Sequence, residues 1–506
     1  MQGGGGVGRE GKDAATAGFA DDGAVAAIYA RISSTRGELG PILRFAGGPE
    51  AEWPCGLFRT LRSVVLPMLT TPEANTLRLV CKELKREVEE YPWEDMGTVI
   101  RGYVGARVGE REGRQRGAWR ACFPRAKGAN VGQCGGEEEE DPTGEGRRNP
   151  VVDADLVHFV GLRALNMSYC RQVTGAAFVH LQGIEKLDMR YCNQDTITDA
   201  AFANLRGIHT LNMSGCNQGT ITDAAFASLR GIHSLDMSGC SQPTITDAAF
   251  ANLAGIHTLD MSFCNQVTIT DAAFANLTGI HTLDMSSCNQ STITDLAFSN
   301  LRGVHTLHMR WCNQPTITDA AFANLRGIHT LDISQFVIGP MLNITDAAFA
   351  NLRGIHTLHM SYCSQDTITD AAFANLLGIH TLCMILCSQR TITDAAFANL
   401  SGIHTLDMSF CNQDTITDAA FANLRGIHTL DLSFCSQPTI TDAAFVNLRG
   451  IHSLNMSECR QPTITDAAFA NLVGIHTLDM SNCLIPAIAA ARALGLPAEG
   501  GDIFDP

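Results

Sequence analysis

The sequence predicts an α/β solenoid, shaped as a horseshoe, with a concave parallel β-sheet and short helices on the convex side. A segment typified by residues 220–243, TITDAAFASLRGIHSLDMSGCSQP, recurs with few changes from the middle of the chain almost to its end. Within each copy, the alternation in HSLDM predicts a short strand, and AAFASL before a glycine predicts a short helix. One copy cannot bury its own apolar face, so the copies are expected to stack.

The length and spacing of the repeat identify the kind of solenoid. Each step is 24 residues, measured at the Ile of the GIH sequence, except for a step of 27 residues between Ile328 and Ile355. A period of about 20–29 residues with L-x-x-L-x-L-x-x-C spacing is typical of a leucine-rich repeat. Residues 208–216, IHTLNMSGC, show this spacing and define places one to nine of a repeat. Residues 151–483 are therefore predicted to form a leucine-rich-repeat solenoid.

Composition limits the function classes. The net charge of −16 disfavours a long nucleic-acid footprint and favours protein partners. The N-terminus shows neither a secretory signal nor a membrane-spanning segment, so we expect a cytoplasmic or nuclear protein with reduced thiols. Most of the 18 cysteines occupy place nine, where a small buried thiol packs below the turn. No phosphate-binding loop, nucleophile elbow or zinc spacing occurs, so no enzyme, cofactor or metal is predicted.

The remaining segments differ from the repeats in composition. Residues 1–52 are rich in glycine and predicted to be poorly ordered, whereas apolar residues at helical spacing predict a small helical module at 53–96. We expect a linker with a degenerate capping repeat at 97–150, with a first strand between Phe123 and Val131. Residues 484–506 are predicted to form a C-terminal cap, with a closing helix, and a tail.

Part of the helical module resembles an F-box. The stretch VVLPMLTTPEANTLRLVCKELKREV matches the second half of the family pattern, although its Leu-Pro pair lies closer to Val-Cys than in the family. This resemblance implies docking to a Skp-type adaptor and a cullin complex; the alternative is a helical cap for the solenoid. The residues that match the pattern, and so would bind the adaptor, are Leu69, Pro72, Leu77, Leu79, Val80, Cys81 and Leu84.

The repeats resemble cysteine-containing leucine-rich repeats, a subtype that often accompanies an F-box. The resemblance depends on the Cys at place nine and on the ITDxAF sequence of each copy. In that sequence, Thr222 is expected to cap the helix, Asp223 to complement its dipole and Gly231 to end it. The two resemblances together imply a protein similar to the substrate receptors of SCF-type ubiquitin ligases.

Equivalent side chains of stacked repeats form columns about 4.8 Å apart. Alternation directs places four and six inward and places three, five and seven onto the concave face. Place five is mostly Asp, and neighbouring carboxylates repel by roughly 0.8 kcal/mol at about 5 Å in water. This acidic column either attracts a basic peptide or is a duplicated solvent-facing residue. Place two is His in twelve repeats, for which we expect hydrogen bonds to neighbouring backbone and not a metal site.

A group of neighbouring repeats departs from the pattern and forms the candidate substrate site. These repeats carry less acid and more aromatic and apolar surface, and one of them holds the array's insertion. Exposed aromatic residues with Arg are typical interface anchors, whereas drift in a neutral repeat is the alternative explanation. The candidate substrate-binding residues are His308, Arg310, Trp311, His359, Tyr362, Ile385 and Leu386.

The eighth-place aromatic residues extend this candidate contact line along the array. They are Tyr169, Tyr191, Phe263, Phe410 and Phe434. The sequence therefore predicts a non-catalytic interaction protein that binds an unknown target protein. The alternatives are an interaction scaffold without a link to a ligase and, more remotely, a solenoid whose place-three Thr ladder orders water or ice.

Overall fold

The structure is a computed structural model, and it describes residues 66, 69, 74–75, 82–94, 96–97, 100, 119–132, 151–335, 342–483 and 485–499. These residues fall into two compact units. The first holds the described residues up to 132 together with 157–166, and the second holds 151–156 and the described residues from 167 onward. No described helix is long and apolar enough to cross a lipid bilayer.

The first unit has a small aromatic core between a helix and two parallel strands. Trp93 is 2% exposed, its ring centroid lies 5.7 Å from that of Phe123, and its Nε1 donates to the carbonyl oxygen of Val88 at 2.7 Å. The carbonyl oxygen of Trp93 also accepts the N–H of Gly128 at 2.9 Å, which joins the end of the helix to the first strand. The elements are the helix Lys82–Glu90, strand β1 at Gly128–Asn130, the 3-10 helix Val157–Phe159 and strand β2 at Ala164–Asn166.

The second unit contains fourteen described strands in one open parallel sheet, each hydrogen-bonded to the next in chain order. The pairing is in register, so that place three lies beside place three throughout. The strands are β3 Lys186–Asp188, β4 Thr210–Asn212, β5 Ser234–Asp236, β6 Thr258–Asp260, β7 Thr282–Asp284, β8 Thr306–His308, β9 Thr330–Asp332, β10 Thr357–His359, β11 Thr381–Cys383, β12 Thr405–Asp407, β13 Thr429–Asp431, β14 Ser453–Asn455, β15 Thr477–Asp479 and β16 Ala498–Glu499.

One-turn helices alternate with these strands and begin at the Asp of the TITD sequence. The helices are Asp153–Leu156, Asp199–Phe202, Asp223–Phe226, Asp247–Phe250, Asp271–Phe274, Asp295–Phe298, Asp319–Phe322, Asp346–Phe349, Asp370–Phe373, Asp394–Phe397, Asp418–Phe421, Asp442–Phe445, Asp466–Phe469 and the longer Ile485–Ala493. Short 3-10 helices lie at Gly175–Leu181, Ala203–Leu205, Ala227–Leu229, Val446–Leu448 and Ala470–Leu472. The leucine-rich-repeat solenoid is thus confirmed.

The core of each repeat consists of the apolar places that the spacing identified. In one copy, Ile208, Leu211, Met213 and Cys216 from the strand and turn pack with Phe226 of the following helix, and all five are at most 2% exposed. Burying a large apolar side chain contributes roughly 1.5–3 kcal/mol. The same places are buried from copy to copy, so each repeat covers the core of its neighbours.

The helix ends are capped as expected. The Thr222 side chain accepts a hydrogen bond from the backbone N–H of Ala224, and Asp223 follows in the first turn. Gly231 has a φ of 80° shortly after the helix and its 3-10 extension. That left-handed conformation favours glycine, so this residue turns the chain back toward the next strand.

The first-turn Asp has a second role, which links neighbouring repeats. The Oδ1 atom of Asp247 accepts the backbone N–H of Thr270 at 2.7 Å, and its Oδ2 atom accepts the Thr270 hydroxyl at 2.7 Å. The same hydroxyl accepts the N–H of Ala272 and so caps the next helix. We call this arrangement the Asp–Thr bridge. It recurs from Asp199 to Asp442 in successive copies.

Three further ladders join each turn to the previous repeat. Cys216 Sγ donates to the carbonyl oxygen of Met189 at 3.2 Å, and Gln218 Nε2 donates to that of Cys192 at 3.1 Å. The Thr220 hydroxyl donates to the carbonyl oxygen of Ile197 at 2.8 Å. Buried carbonyl groups are costly if they remain unpaired, so these side chains satisfy the backbone of the irregular turns.

The 27-residue step leaves both the register of the sheet and the Asp–Thr bridge unchanged. Residues 336–341 lie outside the described part, whereas Thr330 still pairs with Thr357 across β9 and β10. Asp319 still accepts both hydrogen bonds from Thr345, each at 2.7 Å. The additional residues therefore lie between the strand of one copy and the helix that follows it.

Two sequence-based expectations need correction. We expected five-residue strands, but the repeat strands have three residues, which occupy places three to five. Backbone bonding continues beyond the strand, as when Met213 N–H donates to the carbonyl oxygen of Asp236 at 2.8 Å. The tail also adds a strand, β16, after the expected closing helix Ile485–Ala493.

Substitution Asp247→Ala tests the Asp–Thr bridge. The change removes two charge-assisted hydrogen bonds and leaves the Thr270 N–H without its acceptor, so we expect a loss of about 2–4 kcal/mol in unfolding free energy. Urea unfolding followed by circular dichroism measures this loss. The control is Asp366→Ala, because Asp366 lies exposed in a turn. Equal stability of the two variants would contradict a stabilising bridge.

Candidate functional site

The surface formed by places three, five and seven is named here the strand face. Thr210 and Asn212 are half-buried on either side of the fully buried Leu211, and this pattern recurs in almost every repeat strand. The alternation predicted from the sequence is thus confirmed. Because the strands are in register, each place forms a continuous column of side chains along the sheet.

The acidic column at place five is bound to its own backbone. Asp260 Oδ1 accepts the N–H of Ser262 at 2.9 Å, and Asp407 Oδ1 accepts that of Ser409 at 3.0 Å. Burial raises the pKa of both carboxyl groups, and neighbouring carboxylates of the column add to this effect. The column is therefore a set of half-buried, hydrogen-bonded acids. The same bond is made by Asn212, whose Oδ1 accepts the N–H of Ser214 at 3.0 Å.

The substitutions at His308 and His359 alternate with acids in the register of the sheet. His308 pairs with Asp332 on one side, and His359 pairs with Asp332 on the other. Cys383 follows in the same column and contacts Ser361 Oγ at 3.3 Å. The structure thus brings His308 and His359 to the same column of the strand face, on either side of one buried carboxylate.

Arg310 forms the polar and cationic part of the candidate substrate site. Its Nε lies 3.4 Å from Asp332 Oδ2, and its guanidinium carbon lies 5.1 Å from the ring centroid of Trp311. The Arg310 side chain is 51% exposed, whereas that of Asp332 is 9% exposed. A buried carboxylate therefore orients an exposed guanidinium over an aromatic ring, which is a typical cation–π geometry.

The remaining candidate residues occupy adjacent turns at the end of the strands. Tyr362 N–H donates to the carbonyl oxygen of Ile385 at 2.7 Å, so Tyr362, Ile385 and Leu386 lie in neighbouring repeats. All three are half-buried. Residues 336–341 of the repeat with the insertion, which stand between Trp311 and Tyr362 in the sequence, lie outside the described residues.

Most of the candidate adaptor-binding residues also lie outside the described residues: Pro72, Leu77, Leu79, Val80 and Cys81. Leu69 is 7% exposed, and its N–H donates to the carbonyl oxygen of Leu66 at 3.2 Å. Leu84 belongs to the helix Lys82–Glu90, which lies within the helical module predicted at 53–96. Adaptor binding by these residues stays a prediction.

Place eight has a backbone conformation that the sequence analysis missed. Its residues have φ between 56° and 69° in every repeat except the one with the insertion. Gly215 and Gly239 suit this left-handed conformation, and they were the signal that could have revealed it. Bulky residues adopt it at a cost of roughly 1–2 kcal/mol each. Those with large side chains are Tyr169, Tyr191, Phe263, Trp311, Tyr362, Leu386, Phe410 and Phe434.

The large side chains at place eight form a column beside the strand face, which we call the aromatic column. The rings of Phe410 and Phe434 stack with centroids 4.1 Å apart, and those of Tyr169 and Tyr191 stack at 4.6 Å. Phe263 is 50% exposed. The column therefore presents aromatic surface to solvent at several points along the solenoid.

A second Arg–aromatic cluster was also missed. Arg190 donates through Nε and a terminal nitrogen to Asp188, with a shortest distance of 2.8 Å, next to the stacked rings of Tyr169 and Tyr191. The bond to Asp188 raises the pKa of Arg190. The signal in the sequence was place seven, where Arg190 and Arg310 replace the usual Ser.

The place-nine thiols and the place-two His residues form two further columns, which differ in exposure. Burial raises the pKa of the Cys192, Cys264 and Cys312 thiols to about 12, as expected for place-nine thiols that act in packing. The place-two His residues are exposed or half-buried, and their ring nitrogens contact Thr hydroxyl groups, not backbone as expected. Among the described residues, no three His, Cys, Asp or Glu side chains are arranged to hold a metal ion.

A family model and solved structures agree with this fold. The model of the BspA type leucine rich repeat region matches residues 171–305, 244–380, 315–451 and 366–485, which together exceed half of the chain. The chain belongs to this repeat family. The match is to BspA-type repeats, so the expected cysteine-containing subtype and the F-box-like module stay predictions. No curated protein matches the sequence.

The solved structures that resemble the BspA-type repeat chain have low sequence identity, and the first of the three that follow, with a TM-score above 0.5, shows the fold alone. A chain of the glycosylated Drosophila Toll–Spatzle complex has a TM-score of 0.52 and 16% identity, over 66% of this chain and 45% of that chain. A chain of the TLR13–ssRNA13 complex gives 0.43 and 15%, over 65% and 54%. A chain of the yeast Rad7–Elc1 complex gives 0.39 and 16%, over 90% and 96%. The BspA-type chain thus spans less than half of the Toll chain.

The substitution Asp260→Asn tests whether the half-buried carboxylates at place five oppose folding. The folded state raises the pKa of Asp260 above its ordinary value of 3.8, so the ionised carboxylate opposes folding at neutral pH. Asn can keep the bond to Ser262, as Asn212 does for Ser214. We expect the melting temperature to rise by roughly 1–2 °C near pH 7.

The difference in melting temperature between Asp260→Asn and the wild type should depend on pH. As the pH falls through the raised pKa, Asp260 protonates in the folded state, and below about 3.8 it is neutral in both states. The advantage of Asn should therefore vanish in thermal scans near that pH. Asp366→Asn, in an exposed turn, is the control. A gain that persists unchanged in acid would contradict this explanation.

Proposed function

We propose that the chain is a leucine-rich-repeat interaction protein that binds a target protein along the strand face and the aromatic column. The observation that carries the proposal is the backbone of place eight. Gly215 and Gly239 adopt its left-handed conformation without strain, yet eight repeats place a large apolar or aromatic side chain there. Strained residues persist where their side chains serve a purpose, and exposed aromatic anchors serve protein interfaces.

The repeats around the insertion are the proposed centre of the target site. Arg310 is held between Asp332 and the ring of Trp311, so little side-chain freedom is lost when it meets a partner. The place-five column alternates His and acidic groups at this point, whereas most of its residues elsewhere are Asp. Such a surface favours a target with both apolar and acidic side chains.

A finer proposal concerns the first unit. The F-box-like stretch would hold a Skp-type adaptor and its cullin complex, so that the chain acts as the substrate receptor of an SCF-type ubiquitin ligase. It would catalyse no reaction and would act in the cytoplasm or nucleus, where it raises the concentration of the target near a ubiquitin-loaded enzyme. The resemblance of the stretch between Val64 and Val88 to an F-box supports this proposal.

Affinity capture from cell extract, followed by mass spectrometry, tests the target site. The variant combines Arg310→Ser with Trp311→Gly, and Gly suits the backbone of Trp311, which has a φ of 58°. We expect one specific protein to be depleted by more than about tenfold, as for the loss of an interface anchor. Recovery of the same proteins in the same amounts by variant and wild type would contradict the proposed site.

The matched control combines Glu458→Gly with Arg460→Ser. It replaces another left-handed eighth-place residue, with a φ of 60°, and removes an exposed Arg that bonds to Glu458 at 2.7 Å. The control therefore makes similar chemical changes about six repeats away. It should retain the target, which would separate a local site from a general effect on the solenoid.

Co-purification with a Skp-type adaptor tests the finer proposal. We expect Leu77→Asp with Val80→Asp to abolish capture, because charges would replace the apolar residues that match the F-box pattern. Lys85→Asp, on the exposed side of the helix Lys82–Glu90, is the control. No capture by the wild type, or undiminished capture by the folded double variant, would reject the adaptor role. Either result would leave the alternative, which is an interaction scaffold without a link to a ligase.

A further inference from the structure

A surface apart from the strand face lies where each helix returns to the next strand. It carries the place-two His of twelve repeats and, three residues before seven of them, an exposed Arg, and we call it the His–Arg edge. Its His residues are His209, His233, His257, His281, His305, His329, His356, His380, His404, His428, His452 and His476. Its Arg residues are Arg206, Arg230, Arg302, Arg326, Arg353, Arg425 and Arg449.

The imidazole rings of this edge form a continuous, ordered stack. Neighbouring ring centroids lie 4.4–4.6 Å apart, and the 27-residue step leaves His329 and His356 at 4.5 Å. The Nδ1 atom of His305 lies 3.2 Å from the Thr306 hydroxyl, and the same contact recurs along the stack. Nine of the twelve rings make this contact, which orients the ring through Nδ1, so that Nε2 is the ring nitrogen that would meet a ligand.

Four of the seven guanidinium groups of the edge are held by an Asn of the next repeat, namely those of Arg230, Arg302, Arg425 and Arg449. Arg302 Nε donates to Asn324 Oδ1 of the next repeat at 3.1 Å, and Arg425 Nε donates to Asn447 at 3.0 Å. These bonds use the inner nitrogen of each group. The two terminal nitrogens form the fork that binds a carboxylate in a bidentate manner, and its orientation is set before a ligand arrives.

The charges around the edge make it locally basic in a chain with a net charge of −16. The RGIHT segments contain no acid, and the acidic exception at place two is Glu185, beside Lys186 in the first regular repeat. The place-five acids follow three residues after each His, on the strand face. The first-turn Asp of each helix, such as Asp295, is bonded to the Thr of the next repeat.

We propose that the His–Arg edge binds an extended acidic polypeptide, whose carboxylates meet the Arg forks and, in mildly acidic solution, the protonated His stack. The Arg residues occur in groups of two, three and two consecutive repeats, separated by pairs of repeats without Arg. An acidic peptide can match these groups with clusters of Asp or Glu. A uniformly charged polyanion such as nucleic acid would also meet the acidic remainder of the molecule, which repels it.

The His stack adds a dependence on pH. His ordinarily titrates near pH 6.5, and the partial loss of water around the rings, together with the charges of neighbouring imidazoles, lowers the pKa of His233, His356 and His452. Positive charges at this spacing repel one another, so the free edge protonates gradually. The carboxylates of a bound acidic peptide offset this repulsion. Peptide binding should therefore be coupled to proton uptake by the His residues and should strengthen as the pH falls.

Fluorescence anisotropy with the full chain tests the proposal. The probe is a labelled peptide of about eighteen residues with three Glu clusters, long enough at ~3.3 Å per residue to follow a dozen repeats. We expect its affinity to rise by about tenfold or more between roughly pH 7.5 and pH 5.5. Replacement of Arg302, Arg326 and Arg353 by Gln should weaken binding by about tenfold at both pH values.

Replacement of His305, His329 and His356 by Gln should reduce the gain at low pH and leave binding at neutral pH unchanged. The charge-matched control changes Arg171, Arg390 and Arg460 to Gln, three exposed residues in the turns that follow the strands. Circular dichroism verifies folding, and Arg326→Gln alone serves if a triple variant fails to fold.

Three results would overturn the proposal: no saturable binding of the peptide, equal weakening by the control variant, or tighter binding of a single-stranded oligonucleotide with the same charge. The experiment is independent of the target site proposed for the strand face. Arg310→Ser with Trp311→Gly should leave binding of the acidic peptide unchanged, so failure of one proposal would not decide the other.

Discussion

Each repeat begins its helix with a carboxylate that the next repeat needs. The two oxygens of Asp247 bind the N–H and the hydroxyl of Thr270, and that hydroxyl then caps the next helix. Helices of four residues are far below the length at which a helix is stable in isolation. Their formation therefore depends on the neighbouring copy, and stability is a property of the stack.

The core follows directly from the sequence, whereas contacts between copies do not. Apolar places such as Leu211 and Met213 are identified by spacing, because alternation in a strand depends on local geometry. The partner of Asp199 is Thr222, 23 residues later, and only stacking brings the two together. From the sequence, the Thr of ITD was explained as a helix cap and the Asp by its effect on the helix dipole. Neither explanation includes this contact between copies.

The structure of the candidate site was only partly predictable from the sequence. Departures from the repeat pattern located Arg310 and Trp311, and the structure places Asp332 beside them. The left-handed backbone of place eight was not found, although Gly215 and Gly239 indicated it, because aromatic residues at the other copies concealed the requirement. Arg190 was missed because the Tyr169 ring near it belongs to the preceding repeat, and only stacking brings the two residues together.

The solenoid separates structural and recognition functions by place within the repeat. Buried thiols and Gln amides, as at Cys216 and Gln218, satisfy the turns, while Arg, His and aromatic residues vary or accumulate on the outside. A substitution at one of the exposed places changes one side chain of a column. It leaves the hydrogen-bond ladders between repeats intact. Different ligands can therefore be recognised on different columns of one rigid array.

The Asp–Thr bridge connects only adjacent copies, and each copy carries one half of the bridge on either side. Unequal crossing-over between nearly identical gene segments could therefore add or remove a whole copy, and the flanking copies would join through the same pair of groups. The array can in this way change its length during evolution without any compensating mutation, and with its length the number of binding positions that it offers.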